Sequence, residues 1–352
     1  DGAFIEPRGA PLGRDPRRVA RLSPGAGHPV NRRDSLVLAV DVGGTKTSVA
    51  AVRGAPRDGF GPLRPPVRFS TTRDPDAFLQ ALVDAARRVL PKGGRPAAVG
   101  IGVPGPLDVE RGVVVGTSPN IGWRDFPISA LVSVCFGRVP VAIDDDSNTG
   151  ALGEAIVGAG RGADPYAYLP LGTGLGSGII VGGRVVRGAH GAAGEIGHMA
   201  VDHRSGPRCA CRRRNCVEAW CAGAGLARRA REIWPEGRLP TGSAAPRDAA
   251  SVFALARAGD ADAVALVALA RHALATGIAA ILAIVDPEVV TVGGTVGTSE
   301  PAFVRSAFRE ATRLAHRTAG EGVRLRRPEL GDSSVLAGAA VLGARASDAT
   351  QG

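Results

Sequence analysis

The sequence predicts an α/β protein built from two similar lobes around a central cleft. Three observations lead there. First, a strand–glycine turn–strand unit occurs twice, as VLAVDVGGTKTSVAAV over Val37–Val52 and YLPLGTGLGSGIIVGG over Tyr168–Gly183. Glycines without a Cβ let backbone N–H groups come close to phosphate oxygens. Two such hairpins, half a domain pair apart, predict a duplicated fold that holds a phosphate chain between its halves. Second, strand-like and helix-like segments alternate along the chain, the pattern of an α/β architecture. Third, 352 residues with 44% hydrophobic content are enough for two domains with sizeable cores.

Taken in order, ordered structure is expected to begin near Ser35, with strands at Val37–Asp41 and Thr47–Val52. Apolar residues on one face predict a helix near Asp74–Leu90. Ala97–Val103 reads as a buried strand entering the turn Pro104-Gly105-Pro106, and Val141–Ile143 as a short strand before a helix ending near Val157. Asp248–Val285 is Ala-rich and helical, broken near Gly259-Asp260. Glu288–Val292 is a strand ending in Gly293-Gly294, followed by a helix around Pro301–Ala315. Ser333–Ala346 is a helix of small residues. These elements suggest a small lobe over 35–143, completed by the helix 333–346, and a large lobe over 144–332. The glycines join strand to strand rather than strand to helix, which argues against a Rossmann site, and no G-x4-G-K-[ST] is present.

The first 34 residues, rich in Pro, Gly and Arg, are expected to be disordered. They lack the apolar stretch of a secretory signal, and no apolar run in the sequence is expected to approach the ~20 residues of a membrane span. The net charge is +10, but Lys46 and Lys92 are the only lysines, and the arginines are scattered rather than interleaved with aromatics. That argues against a nucleic-acid partner and points to the coding bias of a GC-rich genome. A reducing, cytoplasmic setting is expected, with Cys135 and Cys221 as small apolar residues.

The densest chemistry lies in GEIGHMAVDHRSGPRCACRRRNCVEAW, from Gly194 to Trp220. Cys209, Cys211 and Cys216 have metal-ligand spacing, and His198, or else His203, supplies a fourth ligand. Four protein ligands make a closed, structural Zn²⁺ site rather than a catalytic one. Such a metal ties together the segments carrying Glu195, His198 and Glu218, a polar cluster suited to a hydroxyl-rich ligand. A purely structural finger is the plain alternative.

With these pieces in place the chain resembles the ROK family (repressors, open reading frames and sugar kinases) of the actin-like ATPase superfamily. The resemblance runs from about Leu36 to Gly343 and is carried by several motifs together. DVGGTK (Asp41–Lys46) and LGTGLGSG (Leu171–Gly178) resemble the two phosphate motifs, and VGGTV (Val292–Val296) the adenosine motif. GIGVPGPLD (Gly100–Asp108) and PNIGW (Pro119–Trp123) are similar to the sugar-lobe segments, and DDDSN (Asp144–Asn148) sits where the family usually has E-N-D-A-N. GEIGH (Gly194–His198) and CACRRRNCVE (Cys209–Glu218) resemble the signature of zinc and sugar ligands.

The resemblance implies an actin-like duplicated fold and an ATP- and Mg²⁺-dependent hexose 6-kinase, often a homodimer. Asp146 is then the base for the sugar 6-hydroxyl; read from the sequence alone, it is a helix N-cap. Asp144 and Asp145 crowd it with like charge, which should raise its pKa. Asp41 is implied to act on Mg²⁺ through water, or is simply a strand-end turn residue. Gly43, Gly44, Thr45, Gly172, Thr173 and Gly174 line the triphosphate path, and Gly293 and Gly294 the adenosine side. Lys46 either pairs with phosphate or is solvated. Asn120, Glu195, His198 and Glu218 form the sugar shell, His198 offering one ring nitrogen to zinc and the other to sugar.

Three departures from the family pattern stand out. Arg212 and Asn215 replace two glycines of the cysteine loop, where Asn tolerates a left-handed backbone and Arg does not. Ser177 replaces a glycine and is a candidate phosphate donor. Asp145 replaces an Asn that offers the sugar both a donor and an acceptor, whereas an ionised Asp only accepts. Asp145 therefore either is neutral or turned to solvent, or selects an ammonium-bearing sugar such as 3-amino-3-deoxyglucose (kanosamine). Plain glucose and N-acetylhexosamines are the alternative substrates. A sugar-responsive repressor is disfavoured by the short Pro/Gly-rich stretch before the core, and a non-catalytic sugar binder by the presence of both Asp41 and Asp146.

Overall fold

In the computed structural model the described residues are 35–56, 59–118, 121–202, 206–235, 239 and 244–350. The segment 1–34 and the candidates Asn120 and His203 lie outside them. The first half contains β1 (Leu36–Val42), β2 (Lys46–Arg53), β3 (Val67–Ser70), α1 (Pro75–Val89) and β4 (Ala98–Gly102). β5 (Leu107–Asp108), β6 (Val113–Thr117), β7 (Arg124–Phe126), α2 (Ile128–Cys135) and β8 (Val141–Asp144) follow. α3 (Asp146–Val157) leads into β9 (Tyr166–Pro170), β10 (Gly178–Val181) and β11 (Arg184–Val185). A helical run comprises α4 (Val217–Cys221), α5 (Gly223–Ile233), α6 (Ala249–Arg257) and α7 (Ala261–Val285). The chain closes with β12 (Val289–Gly293), α8 (Gly294–Ser299), α9 (Pro301–Leu314), α10 (Arg317–Gly322), β13 (Arg324–Arg326) and α11 (Ser334–Ala349).

The duplication foreseen from the glycine hairpins is present in the sheets. One sheet has the order β3-β2-β1-β4-β8, the other β11-β10-β9-β12-β13. In each, the first two strands of the half pair antiparallel while the later ones add parallel, as β1 with β4 and β9 with β12. Parallel neighbours require crossover connections, which is why the helices fall between those strands. A third sheet, β5-β6-β7, is an insertion between β4 and β8.

Local signals account for the helices. α1 starts where the Asp74 side chain accepts the Asp76 N–H at 3.0 Å and Pro75 occupies its first turn; it buries Phe78, Leu79, Leu82, Val83 and Ala86. The break near Gly259-Asp260 is real, because Asp260 caps α7 through the Ala263 N–H at 2.9 Å. α7 corrects one expectation: with 25 residues it is long and apolar enough, by length and composition, to cross a membrane. Alanines dilute its apolar signal in sequence, and its Leu266, Leu274, Ile278 and Leu282 are buried in the core beside α6 and α9.

The small-residue character of α11 has a steric origin. A Cβ on Gly338 would lie 1.7 Å from the Thr149 carbonyl oxygen of α3, and one on Gly100 of β4 would lie 1.8 Å from that of Ala339. Backbone therefore meets backbone on two sides of α11. Its Leu336, Ala339, Ala340 and Ala344 pack on Val37, Ala39, Ala50 and Val52 of the first sheet. α3 bridges onward to the second sheet through Leu152, packed with Tyr166, Tyr168 and Ile180. The turn that opens α3 therefore stands where the two sheets meet.

Candidate active site

That turn carries three consecutive carboxylates. Asp144 ends β8, Asp145 caps α3 by accepting the Ser147 N–H at 3.0 Å, and Asp146 occupies the first helical position. The cap is thus Asp145, not Asp146, and Asp146 is left free of capping duty. Its Oδ1 accepts only the Ser147 hydroxyl, at 3.1 Å, among hydrogen bonds at this turn. Burial raises the Asp146 pKa; hydrogen bonds from Ser147 oppose that shift and the Glu195 charge adds to it. Burial, then the neighbouring Asp146, pushes Asp145 well above the usual carboxylate range. The expected rise at Asp146 is therefore present, but its main cause is desolvation rather than crowding by Asp144 and Asp145; a hydrogen bond with Asp145 in fact opposes it. Asp144 is neutralised: its Oδ2 accepts Nε and Nη2 of Arg187 at 2.9 and 2.6 Å.

Asp41, at the end of β1, faces the same turn. Burial pushes its carboxyl up to about 7, with Asp146 and Asp332 adding to the rise and Arg68 opposing it. Asp332, in the turn Gly331–Ser333 before α11, was missed in the sequence because nothing local marks it. Burial is the main cause of that rise; the smaller part contributed by Asp146 and Asp332 is negative charge of the kind a hard cation such as Mg²⁺ would relieve. The next turn is tight, with the Gly43 N–H donating to the Lys46 carbonyl at 2.9 Å, and it leaves Gly44, Thr45 and Lys46 exposed.

The second glycine turn is folded against the helical run. The N–H groups of Gly223 and Ala224 donate to the Gly172 and Thr173 carbonyls at 2.8 and 3.0 Å. Gly172 and Thr173 open onto a pocket of about 370 Å³ that Gly223, Ala224, Asp248, Phe253, Thr295 and Ser299 help to line. Gly172 and Thr173 of the glycine turn, and Thr295 and Val296 of the VGGTV segment, were marked in the sequence; Gly223, Ala224, Asp248, Phe253 and Ser299 were not, since they come from α5, α6 and α8. A Cβ on Gly174 would sit 2.7 Å from a Glu218 oxygen, so a larger residue there would displace that carboxylate. Gly294 has φ +74° and touches the Leu171 carbonyl, so its requirement is backbone geometry beside the pocket. Ser177 is not a phosphate donor in this structure: it is buried and its hydroxyl donates to the Gly194 carbonyl.

The metal-ligand reading is realised in space. Residues 199–201 pair with 215–217 through the Val201 N–H to Asn215 and the Val217 N–H to Met199 bonds, both 2.9 Å. This brings His198 to the cysteine loop. One ligand atom each from His198, Cys209, Cys211 and Cys216 lies within 4.8 Å of the others. The Cys209 Sγ to His198 Nδ1 distance is 3.7 Å and that between the Cys211 and Cys216 sulfurs is 3.6 Å. A tetrahedron with Zn–S bonds of ~2.3 Å has edges of about 3.8 Å, so the donor set fits zinc. Arg212 and Asn215 adopt φ of 70° and 66°, so the loop keeps the left-handed positions despite losing its glycines.

With Nδ1 facing the cysteines, His198 Nε2 points to Glu195, 3.9 Å away. Glu195 in turn influences both Asp145 and Asp146, so His198, Glu195 and the carboxylate turn form one continuous site. Glu218 sits differently. Its Oε2 accepts the Leu175 N–H at 3.0 Å and its Oε1 faces Cys209 Sγ at 3.4 Å, tying the second glycine turn to the cysteine loop.

Against this geometry, the model of the ROK family matches residues 37–346. The chain belongs to the ROK family. A glucokinase of Halalkalibacterium halodurans is 33% identical over 246 residues, 68% of this chain and 74% of that protein. The crystal structure of a ROK hexokinase from Thermus thermophilus superposes with a TM-score of 0.76 at 34% identity, covering 90% of this chain and all of the other. A ROK glucokinase from Streptomyces griseus, in complex with glucose and AMPPNP, gives 0.69 at 29% identity over 88% of this chain and all of that one. Other matches include a xylose repressor of Bacillus subtilis. This ROK protein has the actin-like ATPase fold and is a sugar kinase, a phosphotransferase of carbohydrate metabolism.

Proposed function

We propose that the protein transfers the γ-phosphoryl group of ATP to the 6-hydroxyl of glucose or an amino-glucose. The observation that carries this reading is the turn itself: Asp146 stands uncapped at the first position of α3, between Asp41 and Glu195. As the hydroxyl oxygen bonds to phosphorus and the bond to the ADP oxygen breaks, the hydroxyl proton passes to Asp146 Oδ. Asp41, with Asp332 close by, would hold Mg²⁺, which supplies charge neutralisation along the phosphate chain. The exposed turn 44–46 and the Gly172–Thr173 turn would cradle that chain, and the pocket beside Thr295 would take the adenosine. Asn120, Glu195 and His198 would bind sugar hydroxyls. Glu218 would act mainly by fixing the glycine turn, and structural zinc would hold His198. The cytoplasm and a homodimer are the expected setting and assembly.

The sugar is narrowed by Asp145. An Asn at this position would cap α3 with its Oδ1 and offer N–H₂ to the ligand; Asp145 also caps with Oδ1, which preserves the helix start and changes only the second atom. A carboxylate oxygen there suits an ammonium group, worth ~1.5–3 kcal/mol or about ten- to a hundredfold in affinity. The finer proposal is therefore 3-amino-3-deoxyglucose, with plain glucose or an N-acetylhexosamine as the alternative. Support from physical chemistry is two-sided, since a carboxyl pushed up by burial is neutral over a wider pH range and then donates as Asn does.

The test is an ADP-release assay over glucose, 3-amino-3-deoxyglucose, glucosamine, mannose and the N-acetylhexosamines. Asp146→Asn should bind sugar but lose at least ~10²–10⁴-fold in kcat; near-full kcat would sink the mechanism. Wild type should prefer the 3-amino sugar in kcat/KM, and Asp145→Asn should shift that preference toward glucose by about tenfold. A wild-type preference for glucose that this substitution leaves unchanged would make the protein a plain glucokinase. Tight DNA binding at physiological salt without turnover would favour the repressor reading instead.

A further inference from the structure

Asp144 is the most enclosed carboxylate of the turn, 1% exposed, yet it does not face the ligand side. All its acceptor positions are taken. Oδ1 accepts the Asp145 backbone N–H at 2.9 Å and Asn148 Nδ2 at 3.0 Å. Oδ2 accepts Nε and Nη2 of one guanidinium, that of Arg187. Asp144 ends β8 of the first sheet, whereas Arg187 follows β11 of the second. The pair is therefore a tie between the two sheets, placed directly behind the turn that presents Asp145 and Asp146. A carboxylate this deeply buried is costly unless paired and fully hydrogen-bonded, and Arg187 is the cation that bonds to it.

We infer that Arg187 is a positioning residue for phosphoryl transfer: it holds Asp144 as a buried carboxylate, and Asp144 holds the N–H of Asp145 and thereby the direction of Asp146. Arg187 acts through two hydrogen-bonded steps, its guanidinium to Asp144 and Asp144 to the Asp145 N–H. The N–H of Asp145 is the backbone group of the capping residue, so a shift there rotates the first turn of α3 on which Asp146 sits. Asn148, one helical turn further on, is held by the same oxygen, which makes the orientation of the helix start a property of Asp144 as a whole. A misplacement of about an ångström at a reacting group is enough to cost on the order of a hundredfold in rate. The inference rests on the reading of Asp146 as the base.

The experiment compares Arg187→Gln, Asp144→Asn with Arg187→Gln, and Asp146→Asn, assayed with the best sugar of the panel and with ATP varied. Arg187→Gln leaves Asp144 buried without its cation; kcat should fall by about ten- to a hundredfold, the loss of a charge-assisted bond, while the KM for ATP stays within about twofold because Arg187 does not line the pocket beside Gly172 and Thr173. The double variant removes the stranded charge and restores an amide–amide pair, so its kcat should recover to within about fivefold of wild type. If Arg187 acts other than by pairing with Asp144, the double variant is no better than the single one. That result, or a wild-type kcat in Arg187→Gln, overturns the inference. Should Arg187→Gln fail to fold, Arg187→Lys keeps the charge but loses the two-point bond. It should lose about fivefold or more in kcat at unchanged KM for ATP, and a wild-type kcat there overturns the inference equally. Asp146→Asn separates the two readings: if it stays active the base assignment fails, whereas an inactive Asp146→Asn beside an unaffected Arg187→Gln defeats only the role of Arg187.

Discussion

Glu154 offers the sharpest test of how the fold holds its active site. It lies in α3, is fully buried, and among the described residues no cation bonds to its carboxylate. Three backbone N–H groups satisfy it instead: Ala159 at 2.8 Å and Glu329 at 3.2 Å on Oε2, and Leu330 at 3.0 Å on Oε1. Two of these belong to the segment that leads directly to Asp332. In Glu154→Gln the oxygen can keep two donors, but the amide N–H₂ must then face a third N–H. That loses one bond to a charged group, ~1.5–3 kcal/mol, and weakens two others from charge-assisted to neutral strength, so the total is about 3 kcal/mol. With a urea slope near 3 kcal/mol per molar, the unfolding midpoint should fall by about 1 M without a change in slope. Because the loosened segment carries Asp332 toward Asp41, kcat should fall as well. A midpoint shift below about 0.3 M would refute the reasoning, since the three N–H groups would then have found other partners at no cost.

Further outcomes follow from the same geometry. Elemental analysis should find about one zinc per chain, and Cys211→Ser should lower metal content, stability and sugar affinity together; active protein free of zinc would end that assignment. Arg212, exposed and at φ 70°, pays the left-handed penalty of ~1–2 kcal/mol, partly returned by the extra unfolded-state entropy of glycine, so Arg212→Gly should stabilise the zinc-loaded protein by about 0.5 kcal/mol. A lower Tm in that variant would show that the arginine makes a stabilising contact. Asp41, pushed up to about 7, binds a proton in the folded state that the unfolded chain has already released between pH 4 and 7. Its contribution to stability is therefore lost as pH rises through that window. Without nucleotide or Mg²⁺, Asp41→Asn should gain Tm relative to wild type on going from pH 5 to 7.5, and an equal difference at both pH values would count against the raised pKa.

Much of this protein is written locally. The candidate metal-ligand set was legible because Cys209, Cys211 and Cys216 fall within eight residues and only His198 had to be added, and the paired segments 199–201 and 215–217 supply that addition. The duplicated sheets were legible because each half repeats a strand–glycine turn–strand unit, and each unit forms an antiparallel pair, β1 with β2 and β9 with β10. The starts of α1, α6 and α7 were legible because Asp74, Asp248 and Asp260 cap them, an interaction within one turn of helix. The turn Asp144–Asp146 was recognisable as a motif, but its internal division of labour was not. Only the fold assigns the cap to Asp145, and only the fold neutralises Asp144 with a guanidinium 43 residues away. The cause of the raised Asp146 pKa likewise lies in burial, a property of the assembled sheets and of no pair of neighbours in the chain. Asp332, the part of the nucleotide-side pocket lined from α5, α6 and α8, and the anchoring of loop 329–330 by Glu154 share that character. Capping, turn geometry and ligand spacing are interactions between residues close in sequence, so the sequence by itself determined them. Desolvation and charge pairing depend on which distant segments enclose a group, and that the tertiary structure alone decided.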